Sequence, residues 1–67
     1  MKLMHYRQES VNTLTLEIDG KQYRIHGDAE ITLREKSSIR DSIASANTIR
    51  ELRENLRFFG RTLNEAK

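Results

Sequence analysis

The sequence predicts a small α+β protein in which a β-hairpin or three-stranded antiparallel sheet is followed by one or two C-terminal α-helices. Three observations predict this class. In the first half of the chain, apolar and polar residues alternate on both sides of an Asp-Gly pair. In the second half, apolar residues recur at helical spacing after Ser and Thr residues typical of helix starts. The chain has no proline and only three glycines, which favours regular elements.

The hairpin is predicted over residues 13–26, TLTLEIDGKQYRIH. Asp19-Gly20 between two alternating runs is a strong hairpin signal, because a type I′ turn needs positive φ at both central positions. A slip of one residue would turn the apolar side chains toward water, so the register is well specified. The predicted pairs on the apolar face are Ile18 with Lys21, Leu16 with Tyr23, and Leu14 with Ile25.

A third strand or a helix has to cover the apolar face of this hairpin, because a hairpin alone is unstable in water. Residues 29–33, AEITL, are the first candidate for a third strand, since their apolar side chains alternate with polar ones. Residues 2–7, KLMHYR, are the second candidate, with Met4 and Tyr6 on one side. Either segment would extend the hairpin to a three-stranded sheet.

Two helices are predicted, over about residues 38–46 and 49–59. Ser38 stands before the first periodic run, with an acidic residue three positions later, which resembles a capping box. Thr48 and Glu51 give the T-x-x-E form of the same signal before the second run. Polar residues between the runs lower helix propensity without forbidding a helix. A single helix over residues 38–64 is therefore the alternative.

An apolar stripe runs along the second predicted helix, with spacings of three, four, three and four residues that match the a and d positions of a heptad. The stripe either packs on the apolar face of the hairpin or is shared across a dimer axis, and one protomer could do both. A chain of 67 residues without cysteine has a marginal core, so we expect a homodimer. The stripe consists of Ile49, Leu52, Leu56, Phe59 and Leu63.

Arginines recur three or four positions apart in the same segment. On a helix their side chains lie within about 80° of one another, and each i,i+4 pair costs roughly 0.2–0.5 kcal/mol. Either the guanidinium groups are solvated or paired with acids on a second subunit, or they bind an anionic partner such as phosphate. The predicted partner-binding residues are Arg50, Arg53, Arg57 and Arg61, with Arg40 extending the surface and Phe58 as an apolar anchor.

Composition and motifs exclude several classes of function. Without cysteine there is no disulfide or thiolate zinc site, and two histidines cannot make a structural zinc site without several carboxylates. No nucleophile, acid–base or nucleotide-binding motif is present, so we expect no enzyme, no metal and no cofactor. No apolar run approaches the ~20 residues of a membrane span, and a secretory signal is missing. A cytoplasmic location is therefore expected.

The net charge of +2 is unevenly placed. Residues 1–33 carry four Lys/Arg and five Asp/Glu, whereas residues 34–67 carry eight and five. We therefore expect one small domain over residues 1–67, a non-enzymatic regulatory binding protein whose arginine-lined helix contacts nucleic acid. The alternative is a stoichiometric inhibitor or adaptor that binds an acidic protein surface, such as a mobile-element or phage protein that blocks a host machine.

Overall fold

Four strands form one antiparallel sheet in the order β1-β2-β3-β4, and two helices connect the third strand to the fourth. The computed structural model describes residues 1–66, so Lys67 of the predicted domain lies outside the described residues. The α+β class is confirmed, with one strand more than predicted. The elements are β1 (Leu3–Ser10), β2 (Thr13–Ile18), β3 (Lys21–His26), α1 (Leu33–Ser45), α2 (Ile49–Arg57) and β4 (Thr62–Glu65).

Strands β2 and β3 form the predicted hairpin. Asp19 and Gly20 have positive φ angles of 50° and 86°, as a type I′ turn requires. The Asp19 carboxylate also accepts a hydrogen bond from the Lys2 backbone N–H at 2.9 Å, which ties the start of β1 to the turn. The predicted register is confirmed in full, with Ile18 opposite Lys21, Leu16 opposite Tyr23, and Leu14 opposite Ile25.

The third strand is β1, which contains most of the second candidate segment, and the prediction of a strand over residues 29–33 is wrong. Ile31 is buried and its N–H donates to the Val11 carbonyl at 2.7 Å, in the loop that leads to α1. Thr32 is the N-cap of α1, and Leu33 is the first helical residue. The alternation seen in the sequence therefore comes from one anchored loop residue followed by a helix start.

Strand β1 is irregular where it crosses the middle of β2. Its register with β2 shifts between Met4 and Arg7, and His5 has a positive φ of 52°. This is the geometry of a β-bulge, which inserts a residue and re-aims the side chains around it. The Tyr6 side chain packs against the core, and its hydroxyl donates to the Lys36 carbonyl at 3.0 Å.

Helix α1 begins five residues earlier than predicted, so the assignment of Ser38 as its cap is wrong. The side chain of Thr32 accepts a hydrogen bond from the Glu35 N–H at 3.2 Å. Thr32 and Glu35 have the T-x-x-E spacing of a capping box. This helix signal was missed because Thr32 also lies in the candidate strand over residues 29–33. Ser38 lies inside the helix, where Ile39 and Ile43 face the core.

Helix α2 begins where the sequence predicts. The Thr48 side chain accepts a hydrogen bond from the Glu51 N–H at 3.1 Å. Ala46 and Thr48 both have extended backbone angles, so the chain breaks between the two helices. The alternative of a single helix over residues 38–64 is therefore contradicted.

Helix α2 ends earlier than the predicted residue 59. The Arg61 N–H donates to the Leu56 carbonyl and the Gly60 N–H to the Arg57 carbonyl, both at 3.0 Å. These are the two bonds of a Schellman motif, in which the C′ residue is left-handed. Gly60 takes that place with a φ of 72°, which glycine adopts without steric cost.

The early end of α2 changes the predicted apolar stripe. Leu63 is not on the helix but in β4, where it pairs with Ile25 of β3. Phe59 lies in the turn after the helix and is 38% exposed. Leu52 and Leu56 are 0% exposed, and Ile49 is partly buried at the start of the helix. The helical stripe is therefore confined to these three residues.

The hydrophobic core lies between the apolar face of the sheet and the two helices. Leu52 and Leu56 reach this core within a single chain, so they pack on the hairpin and not across a dimer axis. Among the described residues, nine large side chains are less than 2% exposed there: Leu14, Leu16, Ile18, Ile25, Ile39, Ile43, Leu52, Leu56 and Leu63.

Replacing Leu56 with alanine tests this core. We expect Leu56→Ala to lower the free energy of unfolding by about 2–5 kcal/mol, since it removes buried methyl groups and leaves a cavity. Phe58→Ala is the matched control from the end of the same helix, because Phe58 is 89% exposed. We expect this control to change stability by less than about 0.5 kcal/mol. Urea denaturation measures both, and equal losses would contradict the described packing.

Candidate anion-binding site

Three arginines, Arg50, Arg53 and Arg57, lie on the exposed side of α2 and are called here the α2 arginine surface. The helix holds them in place because its opposite side buries Leu52 and Leu56 in the core. At about 100° per residue, the three arginines lie within roughly 60° of one another. The structure therefore brings together three of the four arginines in the predicted stripe.

Within residues 1–66, no carboxylate oxygen lies within 4.0 Å of a guanidinium nitrogen in the α2 arginine surface. The ion pairs found within residues 1–66 join other side chains: Lys21 with Glu65, Arg24 with Glu9, and Arg61 with Glu35. Glu51 and Glu54 are on the same helix but form no such pair within the described part of the chain. The positive charge of this surface is therefore not neutralised by a direct contact.

A cleft of about 140 Å³ lies beside this surface, between α2 and β4. The Arg53 Nε donates to the Leu63 carbonyl at 3.2 Å, which fixes the guanidinium group against the edge of β4. Strand β4 is one of the two edges of the sheet formed by residues 1–66, so no strand of this part of the chain lies on its outer side. The lining residues of the cleft are Arg53, Arg57, Arg61, Thr62, Leu63 and Asn64.

Arg61 does not belong to the predicted binding surface, because it is only 3% exposed and lies beyond the end of α2. Its Nε and Nη2 donate to the two Glu35 carboxylate oxygens at 2.5 and 2.9 Å. Its Nη1 and Nη2 also donate to the carbonyls of Ala29 and Glu30, at 2.5 and 3.1 Å. The hydrogen bond to Glu35 raises the pKa of Arg61 above its usual value. Arg61 is therefore an internal tether and not an exposed binding group.

Arg40 lies away from the α2 arginine surface. It is an exposed residue of α1, and its guanidinium carbon is 5.2 Å from the centroid of the Tyr6 ring, a cation–π geometry. Tyr6 belongs to β1, the sheet edge opposite β4, and strand spacing places those edges about 14 Å apart. Arg40 is therefore not part of one continuous stripe with Arg53 and Arg57.

Exposed apolar side chains flank the end of α2. Phe58, the predicted apolar anchor, is 89% exposed and follows Arg57 directly. Leu33, the first residue of α1, is 81% exposed and was not singled out by sequence reasoning. It was missed because residues 29–33 are a candidate strand in the sequence, with Ile31 and Leu33 as its alternating apolar residues.

A second cleft, of about 540 Å³, lies at the β-bulge of β1. The Thr15 hydroxyl is buried there without a hydrogen-bond partner among residues 1–66. Both cationic and anionic side chains contribute to the lining, so the cleft has no preference for one sign of charge. Sequence reasoning missed it, because nothing in the sequence signals the bulge. Its lining residues include His5, Arg7, Thr15, Glu17 and Gln22.

The described residues contain no arrangement of three or more His, Asp or Glu side chains suited to hold a metal ion. His26 lies opposite Thr13, with its Nδ1 3.4 Å from the hydroxyl, and His5 lies in the bulge. Between residues 1 and 66, no helix has the length and apolar character needed to cross a membrane.

Comparison with protein-family models, with curated proteins and with solved structures finds no match to this chain. Function is therefore inferred from the α2 arginine surface, the adjacent cleft and the exposed Phe58.

Replacing Arg61 tests its role as a tether. Arg61→Met leaves the Glu35 carboxylate, whose side chain is 17% exposed, without its cation, so we expect a stability loss of about 3–5 kcal/mol. Arg57→Met is the control on α2, and we expect it to change stability by less than about 0.5 kcal/mol. Thermal and urea denaturation measure both variants. A small effect of Arg61→Met would show that the internal hydrogen bonds do not hold the fold together.

Stability at alkaline pH tests the environment of Tyr6. Burial raises the pKa of Tyr6 to about 12 from 10.0, and nearby Arg40 opposes this rise while Glu35 supports it. The neutral phenol is thus favoured in the folded state, so its stabilising contribution is complete below about pH 10 and is lost as pH rises toward 12. We expect the urea midpoint to fall more between about pH 9 and 11.5 in the wild type than in Tyr6→Phe. Parallel pH profiles would contradict this.

Proposed function

We propose that this protein is a non-enzymatic regulatory binding protein whose α2 arginine surface contacts the phosphate backbone of nucleic acid. The proposal is carried by one observation: Arg50, Arg53 and Arg57 share the exposed side of one helix, and none has a carboxylate within 4.0 Å among residues 1–66. Arginine suits this role because its planar guanidinium group stays charged and binds phosphate through two parallel hydrogen bonds.

The energetics of α2 favour a bound anion. Arg53 and Arg57 are an i,i+4 pair of like charges, which costs roughly 0.2–0.5 kcal/mol in a free helix. Arg50 lies in the first turn, where the helix dipole opposes positive charge, whereas Arg57 lies in the last turn, where the dipole favours it. Glu54, four residues after Arg50 and three before Arg57, offsets part of this repulsion, and an anionic partner would offset more of it.

The second candidate is an inhibitor or adaptor that binds an acidic protein surface stoichiometrically. Phe58 favours it, because this aromatic side chain is 89% exposed directly after Arg57. Aromatic residues and arginine are enriched at the energetic centres of protein–protein interfaces. In this mode Phe58 fills an apolar pocket of the partner while Arg53 and Arg57 contact acidic groups around the pocket.

A homodimer and a cytoplasmic location stay predictions. Leu52 and Leu56 are 0% exposed within one chain, so a second copy would have to use other apolar side chains. The exposed large apolar residues are Met4, Val11, Leu33, Phe58 and Phe59.

Oligonucleotide binding tests the first function. Labelled duplex DNA, single-stranded DNA and RNA are titrated with the protein by fluorescence anisotropy at two salt concentrations. Three phosphate contacts predict that log K falls against log salt with a slope of about −2 to −3. We expect the double variant Arg53→Glu/Arg57→Glu to abolish binding, because two positive charges of the surface become negative. Circular dichroism checks that the variant remains folded.

The matched control is Lys2→Glu/Arg7→Glu, which makes the same charge change on exposed residues at the other edge of the sheet. We expect this control to retain binding. Equal losses in the two variants would show that net charge, and not the α2 arginine surface, drives association. Absence of binding at low salt would remove the nucleic-acid function. A partner protein captured by the wild type, and lost with Phe58→Ala and with Arg53→Glu/Arg57→Glu, would then favour the second candidate.

A further inference from the structure

The cleft beside α2 combines two guanidinium groups with a free strand edge. Its volume is about 140 Å³. That volume has room for a tetrahedral oxyanion. We propose that this cleft is a binding site for a single phosphate group, held by Arg53, Arg57 and the backbone N–H of Leu63. The inference rests on the proposed function.

Arg53 is held in position before any ligand binds. Its Nε donates to the Leu63 carbonyl at 3.2 Å, so the two terminal amino groups remain as donors beside the cleft. Fixing a long side chain in the unbound protein removes part of the entropy cost of binding. Arg57, one turn further along α2, lines the same cleft and supplies the second cation.

The Leu63 N–H faces the same side as its carbonyl. The Ala66 N–H donates to the Gln22 carbonyl at 2.8 Å, so these two residues form a hydrogen-bonded pair. Successive pairs of an antiparallel ladder alternate between hydrogen-bonded and non-hydrogen-bonded positions. With Tyr23 opposite Glu65 and Ile25 opposite Leu63, the Leu63 pair is three positions from the Ala66 pair and is non-bonded, so the backbone groups of Leu63 point away from β3, toward the open edge. A backbone donor is thus combined with two arginines, and backbone N–H groups are common phosphate ligands.

The nearby acids do not occupy this position. Glu35 is already bound to Arg61, whose guanidinium group also donates to backbone carbonyls, and Glu65 lies 4.0 Å from Lys21. Among the described residues, Arg53 and Arg57 form no ion pair that a phosphate would have to displace. The cleft is therefore chemically suited to an external oxyanion.

Amide spectra of ¹⁵N-labelled protein test the site directly, with inorganic phosphate as the probe and acetate at equal ionic strength as the comparison. We expect the Leu63 amide resonance to shift and saturate with phosphate, and to move much less with acetate. In Arg53→Lys the charge stays but the fork and the Nε anchor are lost, so we expect phosphate affinity to fall at least about fivefold. Arg40→Lys, the same exchange at an exposed position of α1 outside both the cleft lining and the α2 arginine surface, should leave the affinity unchanged.

The outcomes separate this site from the proposed function. An unmoved Leu63 resonance, or equal effects of Arg53→Lys and Arg40→Lys, would overturn the phosphate site even where oligonucleotide binding persists. A saturable Leu63 shift without oligonucleotide binding would support the site and remove the nucleic-acid function. Thymidine monophosphate and the dinucleotide TpT, which carries one phosphodiester, distinguish the source of the phosphate. Binding of TpT supports a nucleic-acid backbone, whereas binding of the monophosphate alone supports the site and overturns the backbone as its source.

Discussion

The buried guanidinium group of Arg61 joins parts of the chain that are far apart in the sequence. It binds the Glu35 side chain on α1 and the carbonyls of Ala29 and Glu30 in the loop before that helix, while its own backbone closes the end of α2. Such a pair is stable only when its hydrogen-bonding capacity is met, since a lone buried charge is strongly unfavourable. These contacts also determine the position of β4, because this strand starts at the residue after Arg61.

Space around this group is limited. A Cβ added at Gly27 would lie 2.5 Å from the Arg61 Nη1 and 2.9 Å from the Gly60 carbonyl oxygen. Glycine is thus required at position 27 for lack of room, whereas Gly60 is required for its left-handed backbone. Together they let the turn after α2 approach the loop before α1. This contact places β4 beside α2, and Arg53 and Arg57 line the cleft between the two elements.

Local signals account for what the sequence could predict. The Asp19-Gly20 turn determines the hairpin register, and Thr48 with Glu51 determines the start of α2, because both depend on neighbouring residues. The sequence does not reveal β4, since a strand of four residues with one buried side chain depends on its pairing with β3. The α2 arginines follow from helical spacing, whereas the burial of Arg61 needed the helix end at Gly60 and a distant Glu35. The cleft therefore could not be predicted before the fold.

Both borders of the sheet are unsuited to adding another strand. Strand β1 is interrupted by two register shifts, and a bulged edge does not present a regular row of backbone donors and acceptors. Strand β4 is short, and the Arg53 side chain occupies its outward Leu63 carbonyl. Unpaired edges are where sheets of separate molecules join into aggregates. The side chain that we assign to anion binding therefore also occupies one of the backbone acceptors through which another strand would pair with β4.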